Sequence, residues 1–325
     1  MNRKINLPSA IAFRVPVILA LIMTTFCPSR GAESEKRVYI YHASSLSARV
    51  LKEAPGRYDS IALTGFRITS RGSLVTARGK TMKRILRAVE SSGGSWHPVI
   101  SFASSRDGQK FLKAPPSWQR AVRGIRVLAK KHALNKIHLD FEYIEGRYAP
   151  LLANFLSELK KNMPGLQVSM ALFPQVDFSS KWKDFHNPKL LAPLLDEVVI
   201  MCYDYHRPGT RPGPVTSLMW AEKNIRYYLR FFSGKKMLLG IPAYGYLWAS
   251  RRDHITLSAR FAAACRTCRK SRHLQSQTLA LETTRKGKTY RGFIADQEIR
   301  KKLTALARSC GLRGTALWRL GFEEK

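Results

Sequence analysis

Acidic residues are scarce in this chain. Against 56 Lys and Arg stand only 22 Asp and Glu, for a formal net charge of +34. A charge of this size bears on partners and location, not on fold. It suits a polyanionic neighbour: nucleic acid, anionic lipid or an anionic cell wall. Dense Lys/Arg blocks are lacking too, because the basic residues are spread along the whole chain. That argues against a nucleic-acid-binding tail. No zinc-finger spacing or other nucleic-acid module signature occurs, so no nucleic-acid partner is assigned. Cysteine is sparse, with 5 in 325 residues. The single CxxC, Cys265-Arg-Thr-Cys268, has neither a second CxxC nor an HxxxH to complete a zinc site. It reads as a redox pair, a local disulfide or two ordinary thiols. The 8 His are scattered, and no metal or cofactor is assigned.

Long apolar runs are also missing. The longest, VPVILALIMTTF (Val15–Phe26), has about 12 residues, where a spanning helix needs about 20. Arg3 and Lys4 precede it, Cys27-Pro28 closes it, and Gly31-Ala32 offers small residues for cleavage. Residues 1–32 therefore read as an export signal or an uncleaved N-terminal anchor, with any membrane contact confined to that segment. Export would permit disulfides among the cysteines that follow, Cys202, Cys265, Cys268 and Cys310. There is no low-complexity tract, internal repeat or wall-binding repeat.

What is present is a hydrophobic fraction of 45%, enough for a substantial core. Short apolar, β-branched runs recur: VYIYHA (38–43), SIALTGF (60–66), PVISFAS (98–104), KIHLDFEYI (136–144), QVSMALF (167–173), EVVIMCYDY (197–205), KMLLGIPAY (236–244) and GTALWRL (314–320). Helical spacing fills most gaps, over Lys80–Ser91, Trp118–His132, Tyr148–Met163, Ala221–Phe232 and Asp296–Cys310. Eight strand–helix alternations predict an α/β fold, a (β/α)₈ TIM barrel over 36–325. An open doubly wound sheet usually carries a Gly-rich phosphate turn after its first strand, and HASSLSAR (42–49) is not one. Residues 246–292 exceed what one helix requires and predict an insertion in the loop after strand seven, on the face where barrel loops build sites.

The chemistry concentrates in KIHLDFEYI. Alternate residues of a strand share a face. Ile137, Leu139 and Phe141 suit the layer beneath the helices; His138, Asp140 and Glu142 then face the barrel axis, near the end where barrel enzymes place chemistry. Two carboxylates two residues apart repel each other, so one should keep its proton to a higher pH than usual. A carboxylic acid protonated near neutrality is what general-acid cleavage of a glycosidic bond needs.

This stretch resembles the strand-four signature of glycoside hydrolase family 18, which includes chitinases and spore-cortex peptidoglycan hydrolases. The pattern Asp-Gly-x-Asp-x-Asp-x-Glu, often followed by Tyr, falls on Asn135, Lys136, His138, Asp140, Glu142 and Tyr143. Met201, Tyr203 and Asp204 fit the family's Met-x-Tyr-Asp. LLGIPAYGYLW (238–248) looks like its strand seven, and GLRGTALWRLGFEE (311–324) is similar to strand eight of the cortex-lytic branch. Asn135, Lys136 and His138 depart from the pattern; Asp140 and Glu142 keep it.

The resemblance implies a retaining, substrate-assisted mechanism, outside the usual two-carboxylate scheme. Glu142 would be the acid, then the base. Asp140 would orient the substrate's acetamido group, Tyr203 would donate to its oxygen, and Asp204 would stand alongside. Trp318 would stack under the sugar, while Met201 and His138 would line the site. The implied substrate is a β-linked N-acetylglucosamine polysaccharide. The positive charge favours anionic peptidoglycan in a cell wall over neutral chitin, and residues 1–32 favour an exported location. The altered Asn135-Lys136-His138 segment also fits a non-catalytic carbohydrate-binding relative.

Overall fold

The computed structural model describes residues 36–41, 59–77, 80–91, 95–178 and 181–324. The leader segment and HASSLSAR (42–49) lie outside them. Strand β1 (Lys36–Tyr41) is followed by β2 (Ser60–Ile68), which folds back antiparallel onto the short β3 (Leu74–Thr76). Then come α1 (Lys80–Glu90), β4 (Ser95–Phe102), α2 (Ser105–Leu112), α3 (Pro115–Lys131) and β5 (Lys136–Asp140). The chain continues through α4 (Ala149–Asn162), β6 (Gln167–Leu172), α5 (Pro188–Leu191), β7 (Glu197–Met201), α6 (Leu218–Tyr228) and β8 (Met237–Pro242). After an excursion it returns in α8 (Gln297–Ser309) and β14 (Gly314–Trp318).

Eight strands pair in parallel in the order β1-β2-β4-β5-β6-β7-β8-β14, and β1 also pairs with β14. Val38 stands opposite both Ser60 and Ala316, so the sheet closes on itself. This is the (β/α)₈ barrel. Strands β5 to β8 and β14 are buried on both faces almost throughout, which explains their largely apolar runs. Outward residues such as Ile137, Leu139, Met170, Ile200 and Leu239 join the large core beneath the helices. Inward, Ala62, Val99, Val199, Leu238 and Ala316 form a small apolar layer.

Other inward positions are polar and buried. Lys136 and Glu197 form an ion pair across the barrel, and the Ser169 hydroxyl donates to Glu197 at 3.3 Å. His97 Nδ1 and Ser60 Oγ hydrogen-bond at 2.9 Å. The buried Lys136 and Glu197 thus offset each other's charge, as burial demands.

The excursion contains β9 (Tyr244–Trp248), β10 (His254–Ser258), α7 (Ala259–Ala264), β11 (Arg269–Arg272), β12 (Leu279–Arg285) and β13 (Lys288–Ile294). The five strands form an antiparallel sheet ordered β10-β9-β13-β12-β11. Leu247, Leu257, Leu281, Tyr290 and Ile294 form its own small core. Strands β9 and β13 approach so closely that a Cβ on Gly245 would lie 1.8 Å from the Phe293 carbonyl oxygen. Only glycine fits there. Cys265 and Cys268 form a disulfide, whereas Cys202 and Cys310 are buried.

Candidate active site

Strand β5 ends at Asp140, four residues before the end of the expected run Lys136–Ile144. Phe141 and Glu142 continue past the sheet, and Tyr143 turns the chain with φ +60°. That left-handed conformation is uncommon for a bulky residue and gathers at functional sites. The turn is supported from beneath. Phe141 stacks on Phe102, ring centroids 3.9 Å apart. Its carbonyl accepts a hydrogen bond from His186 Nε2 at 2.8 Å, while His186 Nδ1 accepts from the Phe173 amide at 2.8 Å. These two bonds fix one neutral tautomer, and burial lowers the His186 pKa to about 4.

Strand β7 ends at Met201, and the next three residues supply Tyr203 and Asp204. Asp204 also has a left-handed backbone, φ +59°. Its Oδ1 accepts hydrogen bonds from Tyr244 at 2.5 Å and Tyr246 at 2.9 Å. Both tyrosines come from β9, where alternation puts them on one face. Trp318 closes β14 and is joined to Arg319 by a cis peptide.

These ends surround a cavity of about 400 Å³. Glu142, Asp140, Tyr203, Asp204, Trp318 and His138 line it, together with Ser101, Phe102 and Tyr143. Six of the seven side chains singled out in the sequence thus meet in one cavity. The seventh, Met201, lines an adjoining recess of about 40 Å³ with Phe173, Phe178, Trp182 and Arg207.

Burial raises the pKa of Asp140, while a hydrogen bond with Glu142 acts to lower it. Glu142 lies well above the usual carboxylate range, through burial first and the adjacent Asp140 charge second. The shared hydrogen bond lowers one and raises the other, so the proton of the pair belongs on Glu142. Burial also raises Asp204, against its two tyrosine donors. Tyr203 is pushed well up by burial and by the three carboxylates, so its hydroxyl stays a donor.

His138 hydrogen-bonds through Nδ1 to Ser169 Oγ at 3.0 Å, and its buried Nε2 has no hydrogen-bond partner among the described residues. Burial, then the Lys136 charge, lowers its pKa to about 3. It stands at the cavity floor as a neutral ring.

Sequence reasoning missed His186, Tyr244, Tyr246 and Arg207. The alternation in YGYLW hinted at the tyrosine pair. Nothing in KDFH marked His186.

A barrel whose strand ends bring a carboxylic acid with its pKa pushed well up, a second carboxylate and an indole into one cavity has the layout of a hydrolase. The chain belongs to the glycosyl hydrolases family 18, whose model matches residues 61–323. Among curated proteins it is 30% identical over 125 residues to the uncharacterized glycosylase YvbX of Bacillus subtilis, covering 37% of this chain and 36% of that protein. It is 24% identical over 185 residues to the cortical fragment-lytic enzyme of the same organism, covering 56% of this chain and 41% of the relative. The matches thus span well under half of either relative's length. Among solved structures, the chitinase of Chromobacterium violaceum superposes with a TM-score of 0.81 at 20% identity, covering 90% of this chain and 96% of that one. The Bacillus cereus spore cortex-lytic enzyme SleL gives 0.79 at 19%, covering 91% and 73%. At these identities the superpositions establish the fold.

Proposed function

We propose that the protein is an exported, retaining glycosidase that cleaves a β-linked N-acetylglucosamine polysaccharide, peptidoglycan in preference to chitin. The observation that carries this reading is the buried pair Asp140 and Glu142, with Glu142 the acid whose pKa is pushed well up, in a cavity that Tyr203 and Trp318 also line.

Glu142 gives its proton to the glycosidic oxygen as the bond from that oxygen to the anomeric carbon breaks. The leaving sugar departs as an alcohol. The acetamido oxygen of the retained sugar bonds to the anomeric carbon, forming a cyclic cation. Asp140 accepts the acetamido N–H and balances the positive charge, Tyr203 donates to the acetamido oxygen, and Trp318 stacks beneath the ring. Glu142, now a carboxylate, takes a proton from water. The resulting hydroxide bonds to the anomeric carbon and the ring reopens with configuration retained. Tyr244 and Tyr246 hold Asp204 beside Tyr203.

The net charge of +34 supports an anionic wall as the neighbour, with adhesion that weakens in salt. The cortical fragment-lytic relative supports the same substrate class. Residues 1–32 support export, as a cleaved signal or an anchor.

Turnover on purified peptidoglycan, with products read by mass spectrometry, tests the proposal. Glu142→Gln should lower kcat by at least about 10²-fold, the usual share of a general acid, and still bind the polymer. Polymer lacking every acetamido group should resist cleavage. Unchanged turnover in Glu142→Gln would exclude the mechanism, and binding without any wild-type turnover would indicate a carbohydrate-binding protein.

A further inference from the structure

The small recess beside the main cavity carries a selectivity element of its own. It shares Glu142, Tyr143, Tyr203 and Asp204 with the cavity, but neither Asp140 nor Trp318 lines it. The retained sugar, with its acetamido group at Asp140 and its ring on Trp318, belongs in the cavity. The recess therefore lies on the far side of the acid, where the leaving sugar sits. Its volume of about 40 Å³, against about 400 Å³ for the cavity, suits a substituent better than a second pyranose ring.

Its chemistry is an apolar lining of Phe173, Phe178, Trp182 and Met201 with one guanidinium, that of Arg207. The guanidinium carbon lies 4.9 Å from the Phe178 ring centroid. Arg207 Nη1 donates to the Asp204 carbonyl at 3.2 Å, and the Arg207 amide donates to Thr210 Oγ1 at 3.0 Å. The loop thus presents this cation in a fixed position. An apolar recess with a fixed planar cation is suited to a carboxylate on a short stem. Of the two acids that also line the recess, Glu142 keeps its proton, and Asp204 has its Oδ1 engaged by Tyr244 and Tyr246.

We infer that Arg207 binds a carboxylate carried on the O3 substituent of the leaving sugar, and so selects an acidic alternating polymer over neutral chitin. The inference rests on the glycosidase reading above. Two sources share this chemistry. One is an ether-linked acid free in peptide-stripped strands; the other is an acidic residue of a peptide attached at that position.

The test compares kcat/KM on three substrates: peptide-stripped wall strands, the same strands with carboxylates converted to neutral amides, and neutral chito-oligosaccharides. Peptide-bearing strands form a fourth arm that separates the two sources. Arg207→Met should lower the acidic-to-neutral selectivity ratio by about 10- to 100-fold, the range for a lost charge-assisted contact. Arg207→Lys should retain part of that ratio. Amidated strands should lose the same factor with the wild-type protein, and Arg207→Met should add no further loss on them. The amidation arm needs no variant, so it holds even if Arg207→Met folds poorly. A merely structural role for Arg207 would slow all substrates together and leave the ratio unchanged, which overturns the inference alone. A wild-type protein inactive on every substrate would remove the glycosidase reading with it.

Discussion

The hydroxyl of Tyr244 lies 2.5 Å from Oδ1 of Asp204, joining the insertion sheet to the barrel site. Tyr246 reaches the same oxygen at 2.9 Å. The sheet built from residues 244–294 therefore braces the site through Asp204.

The two hydroxyls oppose burial at Asp204. Burial raises its pKa and the tyrosine donors lower it. Removing both donors, as in Tyr244→Phe with Tyr246→Phe, should raise it further, so Asp204 takes up a proton at higher pH. The acidic limb of the pH–kcat/KM profile should move upward, and the maximum should fall by about tenfold or more, from two lost bonds to a charged acceptor. A profile that keeps both its limb and its height would show that Asp204 needs neither hydroxyl.

The alkaline limb should follow Glu142. As the proposed acid it works while protonated, and its pKa is raised by burial and by the charge on Asp140. Asp140→Asn removes that charge, so the Glu142 pKa should fall and activity should be lost at a lower pH than in the wild type. The variant will also be slow, so limb position is the diagnostic quantity, and kcat alone is not. An alkaline limb that stays in place would mean another group sets it.

Lys136, one of the departures from the family pattern, pairs with Glu197 inside the barrel. Both are buried, at 7% and 6% exposure. Lys136→Met leaves a carboxylate in the barrel with Arg313 Nε 3.8 Å away. The single variant should lose about 3–5 kcal/mol of unfolding free energy, whereas Lys136→Met with Glu197→Leu should recover most of it. Equilibrium denaturation decides this, and a double variant no more stable than the single would contradict it.

The barrel was legible because strands such as β5 to β8 and β14 are buried on both faces and read as apolar runs. Asp140 and Glu142 were legible for the opposite reason, as charges at inward positions of such a run. Strand ends were not: Glu142 leaves the sheet because Tyr143 adopts φ +60°, which no periodicity encodes. Helix α2, SRDGQKFL, was missed because it is short and mostly polar; only Gly108, Phe111 and Leu112 are buried. The length of the excursion marked an insertion, but its Arg- and Thr-rich strands carry too little alternation to announce a sheet. Contacts such as Tyr246 to Asp204, 42 residues apart, exist only once the fold brings them together.

His138 offers the last prediction. Its pKa falls from 6.5 to about 3, through burial and the Lys136 charge, against a smaller opposing effect of Glu197. The unfolded chain takes up a proton below about pH 6.5, and the folded chain does not until about pH 3. Between these values the unfolded state binds more protons, so stability rises with pH and is lost on acidification. The contribution is complete above pH 6.5 and declines at up to about 1.4 kcal/mol per pH unit below it. His186, lowered to about 4, adds to the same trend. Asp140 and Glu142 act in the opposite sense, because the folded state holds their protons more tightly. The difference between variant and wild type isolates His138. His138→Asn should flatten the slope of unfolding free energy between pH 6 and pH 4 by about one proton's worth, up to about 1.4 kcal/mol per unit. Identical slopes would mean that His138 is protonated in the folded barrel, and a charged ring would then stand beneath Asp140.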